Sequence, residues 1–367
     1  MTVPFSMEFQ FLPKTGRPAS FGTSDGPFPF FTSSQDVSKR TTVSDCTGPA
    51  LVFGTGGAAS IHYVEGHFSA TNDCYVAVPK SSKAADAKYV YHYLRTHIQL
   101  IESGFRGAGL KHVTKKHLEA IPLPDEMNVD RERINAILDK AYDIRGLHEQ
   151  ACTLTDNLIR SVFVEMFGDP ILNAKGIQKK PLSEFGKIVT GNTPPRSDPE
   201  NYGDVIEWIK SDNVNTEEHF LTRAVEGLSA KGKLLGRIVP KGSILVTCIA
   251  GSPSSIGKAA IADRPVALNQ QINAITPYKG VNLYFLYAQF LIGKPLIMRS
   301  STNSMKGMVS KGEFQKIEFL RPEPSEQEKF GKIFEKQIKA RWLLREASIQ
   351  ATDLFNSLSH RAFRGKL

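Results

Sequence analysis

Val113-Thr114-Lys115, with Leu118 and Ile121 behind it, returns 196 positions later as Val309-Ser310-Lys311, with Phe314 and Ile317 behind it. The same offset runs on without a gap through Ile134/Phe330, Ile137/Ile333, Leu138/Phe334, Arg145/Arg341, Leu147/Leu343 and Ala151/Ala347, and reaches Leu158/Leu354, Ser161/Ser357 and Phe167/Phe363. Two unrelated helices with similar apolar spacing would match at periodic places. They would not match Arg with Arg or Ser with Ser, nor share the lead-in. A constant register from 113 to 167 therefore marks a duplication.

Working outward, segment 126–167 reads as one long amphipathic helix. Ile134, Ile137, Ala141, Ile144, His148, Ala151, Leu158 and Val162 form a heptad seam, widened by Leu138, Cys152 and Ile159. Gly146 is its internal weak point, and Gly168-Asp169-Pro170 stops it. The final helix is expected to open at Ser325-Glu326-Gln327-Glu328 as a capping box and to end near Gly365. Phe330, Ile333, Phe334, Ala340, Leu344, Ala347, Ala351, Leu354 and Leu358 supply its apolar stripe. Two such helices bury their stripes most simply against each other, as an antiparallel coiled coil relating the flanking domains by a pseudo-two-fold axis.

The flanking domains are mixed and β-rich. In the first, dense Gly and Pro punctuation separates short runs such as Ala50–Phe53 and Cys74–Val78, and a helix is expected over 85–103. In the second the runs are Val205–Ile209, Ser243–Thr247 and Gln271–Ile275, with a helix over 283–293. Gly16-Arg17-Pro18 corresponds loosely to Gly191-Asn192-Thr193-Pro194, and Asn72-Asp73 to Asn269-Gln270. The expected order is an α+β domain over 1–123, a long helix over 124–168, a similar domain over 169–321 and a second long helix over 322–367.

A net charge of +9 over 367 residues points to an acidic partner. Segment 126–167 carries −3 and segment 323–365 carries +2, which leaves +10 for the globular parts. Cys46, Cys74, Cys152 and Cys248 stand singly, so neither a zinc site nor a disulfide framework is indicated. No charged-then-apolar leader and no membrane-length apolar run is seen, and a cytoplasmic protein is expected.

Catalytic motifs fail on inspection. Gly251…Gly257-Lys258 is one residue too long for a phosphate loop, and Ala259 replaces the metal-binding hydroxyl. Gly54-Thr55-Gly56-Gly57 precedes a strand-like run instead of the helix that a dinucleotide fingerprint opens. Asn192-Thr193-Pro194-Pro195 looks like the methyltransferase Asn-Pro-Pro-aromatic motif, yet Thr193 interrupts it and Arg196 replaces the stacking ring. His148-Glu149 lacks a second His, and the carboxylates at 125/126 and 217/218 read as helix-start or surface groups. No catalytic, cofactor or metal set is expected.

Gly191-x-Thr193-Pro194…Tyr202-Gly203-Asp204…Ile206-x-Trp208-Ile209…Asp212 resembles the opening of a target recognition domain. Pro322-x-Pro324-Ser325-Glu326-Gln327 resembles the entry to that family's last helix, and Phe163-x-Glu165-Met166-Phe167-Gly168-Asp169-Pro170 and Ala362-Phe363-Arg364-Gly365 its two helix exits. Their order, with the duplication, resembles the specificity subunit of type I restriction-modification systems. Asp130-Arg131 departs from the Glu-Gln phrase.

The resemblance implies a subunit that reads a bipartite double-stranded DNA target, one half-site per recognition domain, with the helices as spacer. It implies recruitment of two methyltransferase subunits and of restriction/motor subunits, which would hold S-adenosylmethionine and ATP. The DNA-contacting candidates are Lys39, Arg40, His62, Arg106, Lys111 and Lys115 in the first domain. In the second they are Arg196, Lys210, Lys231, Lys233, Arg237, Arg299, Asn303, Lys306 and Lys311. Lys115 and Lys311, being duplicated, suit phosphate or partner contact, whereas base readers should differ between domains. The competing readings are a two-domain scaffold with incidental charge, and a nuclease or methyltransferase with an unrecognised site.

Overall fold

The computed structural model describes residues 2–81, 84–124, 130–216, 218–301, 307–364 and 366–367. The chain divides into two compact units, Met1–Glu149 with Glu346–Leu367, and Gln150–Arg345. Each unit thus takes one half of each long helix.

In unit 1, strands β1 (Thr2–Pro4), β2 (Phe9–Phe11), β3 (Phe28–Phe31), β4 (Lys39–Thr41), β5 (Cys46–Thr47), β6 (Ala50–Gly54), β7 (Ser60–Val64), β8 (His67–Ala70), β9 (Cys74–Pro79) and β10 (Pro122–Pro124) form the β framework. Helices α1 (Phe5–Glu8), α2 (Ala84–Thr96), α3 (Gln99–Glu102) and α4 (Lys115–Glu119) flank it. A 37-residue helix, α5 (Arg131–Phe167), follows.

Unit 2 repeats the scheme. Its strands are β11 (Lys179–Pro181), β12 (Gly186–Thr190), β13 (Tyr202–Ile209), β14 (Gly227–Leu228), β15 (Arg237–Val239), β16 (Ile244–Thr247), β17 (Ile249–Ala250), β18 (Ala259–Ile261), β19 (Val266–Leu268), β20 (Ile272–Pro277), β21 (Gly307–Met308) and β22 (Glu318–Leu320). Its helices are α6 (Ser211–Val214), α7 (Ala230–Leu235), α8 (Leu283–Ile292), α9 (Lys294–Arg299) and α10 (Lys311–Lys316), before the 39-residue α11 (Pro324–Ala362).

The sheets correspond strand for strand. One is ordered β2-β9-β6-β7 in unit 1 and β12-β20-β16-β18 in unit 2; the other is β4-β3-β8-β5 and β14-β13-β19-β15. In each second sheet one neighbour pair, β3 with β8 and β13 with β19, is parallel. The central strands explain the layering. Leu51 and Phe53 of β6 point to the helix-side core, while Ala50 and Val52 point to the core shared with the second sheet. On β16, Ile244 and Val246 take the helix side and Leu245 the sheet side. A strand covered on both faces is apolar throughout, and alternation only decides which core each residue joins.

The repeated stretch with which the duplication begins caps a short helix in each unit. Thr114 Oγ1 accepts from His117 N at 3.3 Å to open α4, and Ser310 Oγ accepts from Glu313 N at 3.2 Å to open α10.

The long helices run antiparallel where they meet. In unit 2, Phe163 near the end of α5 lies 5.4 Å ring to ring from Phe330 near the start of α11, and further back Thr155 O accepts from Gln337 Nε2 at 3.3 Å. In unit 1, Phe355 and Ala362 near the end of α11 join the core with Ile134, Leu138 and Ala141 near the start of α5.

Several expectations are corrected. The first long helix begins at Arg131, and 126–129 lie outside the described residues. Ile144 and Leu158, placed on its seam, are 37% and 52% exposed; the buried line keeps Ile134, Leu138, Ala141 and Ile159 and adds Phe163, because each unit packs its own half of the helix against a sheet domain. The helix expected over 85–103 breaks after Thr96, whose hydroxyl donates to His92 O at 2.9 Å, and resumes as α3. The helix expected over 283–293 is present as α8, capped at Gly293, and α9 follows from Lys294. The last helix starts at Pro324, so Ser325 sits inside the first turn and forms no cap; Pro324 itself needs no N–H partner there. Its expected end at Gly365 lies outside the described residues, and α11 closes at Ala362. No helix is long and apolar enough to cross a membrane among the described residues.

Candidate nucleic-acid interface

In unit 2 the loop entering β13 and the segment around α7 clasp each other. Asn192 is the link: its Nδ2 donates to Leu235 O at 2.9 Å, its Oδ1 accepts from Arg237 N at 2.9 Å, and its carbonyl accepts from Trp208 Nε1 at 3.2 Å. Ser229 caps α7 by accepting from Gly232 N at 3.1 Å and donates to Glu200 O at 2.5 Å. A Cβ on Gly232 would stand 1.8 Å from Asn201 O, so the approach of these two backbones admits only glycine.

The clasp gathers cations. Arg196 lies 4.4 Å from the Tyr202 ring centroid and 5.1 Å from that of Trp208, and pairs with Glu226 at 2.9 Å. Lys210 pairs with the same carboxylate at 3.0 Å; the two cations, Lys210 first, hold Glu226 below the usual carboxylate range. Lys231 bridges Asp198 and Glu200, each at 2.8 Å. Their carboxylates push the Lys231 ammonium upward, so it stays charged at any working pH. Lys233 and Arg237 are exposed beside it. Leu234, 87% exposed, and Val225, with nothing covering it, share this surface. The arrangement can bind a polyanion: fixed guanidinium and ammonium groups beside exposed apolar side chains suit phosphates and base edges together.

Other candidates from the sequence take structural partners. Lys39 Nζ donates to Ala19 O at 2.6 Å, Arg40 Nη2 to Pro27 O at 2.7 Å and its Nε to Gly26 O. His62 Nε2 bonds Ser34 O at 2.9 Å, and its partial burial lowers its pKa. Arg106 holds its own turn through Ser103 O and Phe105 O. Lys115 pairs with Glu119 at 3.6 Å within α4. Lys111, Arg299 and Lys311 are exposed, away from the clasp in sequence. Asn303 and Lys306 lie outside the described residues.

Sequence reasoning missed Arg17. It lies 4.3 Å over the Phe21 ring and pairs with Asp45 through Nη2 at 2.9 Å and Nε at 3.0 Å. Hydrogen bonding from Arg17, ahead of Ser69, lowers the Asp45 carboxyl. The signal was present in the match of Gly16-Arg17-Pro18 to Gly191…Pro194, but the arginines sit at different distances from their glycines. No group of three or more His, Cys, Asp or Glu is placed to hold a metal among the described residues.

The family model for the type I restriction modification DNA specificity domain matches residues 23–150 and 174–351. The HindI type I restriction enzyme specificity subunit of Haemophilus influenzae is 32% identical over 179 residues, 45% of this chain and 37% of that one. The EcoDI specificity subunit of Escherichia coli is 28% identical over 136 residues, 36% of this chain and 30% of that one. The matches therefore span about a third of the length of these relatives. A solved S subunit of a type I restriction-modification system from M. genitalium superposes with a TM-score of 0.69, covering 99% of this chain and 96% of that one at 14% identity.

Proposed function

Because the chain belongs to the family of type I restriction-modification DNA specificity domains, we propose that it reads a two-part double-stranded DNA target, one half-site per unit. The observation that carries this is the strand-for-strand repetition of one scaffold with different surface loops. A helix, α7, precedes β15 in unit 2, whereas no helix separates β4 from the corresponding β5 in unit 1. Common scaffolds with unlike loops are what reading two unlike sequences needs. Lys231, Lys233 and Arg237 supply phosphate contacts in unit 2.

The partners are two copies of a methyltransferase subunit, joined by restriction/motor subunits. S-adenosylmethionine and ATP belong to those partners, and this chain has no catalytic role of its own. The docking surface is duplicated as well. Leu147 and its repeat Leu343 are 63% and 62% exposed, and Leu158 and its repeat Leu354 are 52% and 50% exposed. Each unit holds one member of both pairs, so each offers the same apolar stripe to one partner copy.

Mapping methylated adenines in DNA from cells carrying the complex tests the reading. Two half-sites at constant separation are expected, and that separation should change when four residues are inserted midway in both α5 and α11. A single undivided target would refute it. Methyl incorporation by the lone chain, given DNA and labelled S-adenosylmethionine, would refute the non-catalytic role. Replacing Leu147 and Leu343 by Glu should prevent recruitment of the methyltransferase subunits.

A further inference from the structure

Beside the second sheet of each unit an arginine lies over a ring that neighbours a strand aromatic, built from unlike sequence. In unit 1, Arg17 lies 4.3 Å over Phe21, whose ring is 5.8 Å from that of Phe30. In unit 2, Arg196 lies 4.4 Å over Tyr202, whose ring is 5.8 Å from that of Trp208. Strand register shows that the bases of the stacks are equivalent positions. Phe30 faces Ser69 and Phe31 faces Ala70 across the parallel pair in unit 1; Trp208 faces Ala267 and Ile209 faces Leu268 in unit 2. A carboxylate fixes each guanidinium, but from different places: Asp45 precedes β5, whereas Glu226 precedes β14, the counterpart of β4.

We propose that Arg17 and Arg196 are equivalent phosphate clamps, one per unit, that supply a sequence-independent part of DNA binding. The proposal rests on the DNA-reading function above. Three features argue for it. The guanidinium side chains remain 30% and 55% exposed, and ion pairs so open contribute little to stability. Orientation is therefore the better account of the carboxylates. Each arginine also keeps donors free to face outward: Asp45 takes Nε and Nη2 of Arg17, leaving Nη1, and Glu226 takes Nη2 of Arg196. A guanidinium held over a ring and by a carboxylate at one edge has little rotamer freedom left to lose, which suits a phosphate. Finally, groups that read bases should differ between units that read different sequences. A geometry kept through a change of ring, of carboxylate and of spacing must touch what the two half-sites have in common, which is the backbone.

The test is equilibrium binding of the full chain, assembled with its methyltransferase partners, to one duplex carrying the mapped target and one scrambled duplex, across a salt series. Arg17→Gln and Arg196→Gln should each weaken both duplexes by the same factor and lower the slope of log K against log salt by about 1; the double variant should lower it by about 2. Arg17→Lys and Arg196→Lys keep the charge and should keep the slope, while losing affinity for both duplexes because an ammonium neither stacks nor forks. Because the lysine variants disturb the fold least, they stand in where a glutamine variant fails to fold. Loss confined to the target duplex would make the arginines base readers and overturn the clamp, as would unchanged affinity and slope. Wild-type complex that binds neither duplex would instead refute the DNA-reading function itself.

Discussion

At position 131 the first long helix presents an arginine to unit 1; at the repeat-equivalent position 327 the last helix presents a glutamine to unit 2. Arg131 bonds Asp86 at 3.0 Å, approaches Glu8 at 3.6 Å and lies 5.1 Å over the Tyr89 ring. Gln327 is fully buried; its Nε2 donates to Pro322 O at 2.8 Å and its Oε1 accepts from Asn282 N at 3.2 Å. The same junction is held by ion pairs in one unit and by neutral backbone bonds in the other. The helix exits run the other way. Tyr89 and Phe363 meet edge to face at 5.4 Å in unit 1, and their repeats Phe285 and Phe167 meet edge to face at 5.0 Å in unit 2. One turn back, however, Phe163 of unit 2 is replaced by Ser359 in unit 1, both fully buried, and the Ser359 hydroxyl has no hydrogen-bond partner. Duplicated scaffolds thus preserve where an element docks more strictly than how it is held.

The sharpest way to break this comparison is at 163 and 359. Phe163 contacts Phe167, Phe285 and Phe330, so Phe163→Ala should cost about 3–5 kcal/mol in denaturant unfolding. Ser359→Ala, which removes an unpaired buried hydroxyl, should be neutral or stabilising. Equal losses at the two sites would mean that the aromatic cluster carries no special weight.

Next come the helix entries. Gln327→Ala strands the buried Pro322 O and the half-buried Asn282 N and should cost roughly 2–4 kcal/mol at any salt concentration. Arg131→Ala should cost about 1–2 kcal/mol, diminishing as salt screens the pairs with Asp86 and Glu8. A salt-dependent loss at 327, or a salt-independent one at 131, would reverse the assignment.

Acid should separate the units too. Burial, then Arg341, depresses His219 of unit 2 to about 4, against a smaller upward pull from Gln337. Between the ordinary value of about 6.5 and 4 the unfolded chain takes up a proton that the folded one refuses. Stability is therefore whole above pH 6.5 and falls toward pH 4, by at most about 1.4 kcal/mol per pH unit. His219→Gln should flatten that decline in the slowest-exchanging amides of unit 2 and leave those of unit 1 unmoved. Burial also lowers His62 and His92 in unit 1, so unit 1 keeps its own acid sensitivity in the variant.

The smallest expected effect is at Gly146, inside α5, where an added Cβ would meet nothing within 4 Å. Its repeat, Trp342, is 62% exposed. Gly146→Ala should raise stability by about 0.5–1 kcal/mol, read by the shift in the unfolding midpoint.

Much of the architecture was legible beforehand because it is written locally. The fixed offset revealed the repeat, and the apolar runs at 50–53, 74–78, 205–209 and 243–247 fall on β6, β9, β13 and β16. The candidate site was legible only in part. Arg196, Lys210, Lys231 and Arg237 do come together, but Lys39, Arg40 and Arg106 spend donors on nearby carbonyls, and charge in a sequence does not say which cations are already occupied. Arg17 stayed hidden because it is matched to Arg196 through sheet register, while the loops carrying them differ in length.

By itself, then, the sequence determined that there are two copies of one scaffold, each continued by a long amphipathic helix, because periodicity and repetition depend only on distance along the chain. Tertiary structure alone decided that each unit claims half of both helices, that Ile144 and Leu158 leave the expected seam, and that two arginines at unlike spacings each lie over a ring beside an equivalent strand aromatic. Those outcomes depend on pairing between strands far apart in sequence, and no local pattern fixes which residues such pairing brings together.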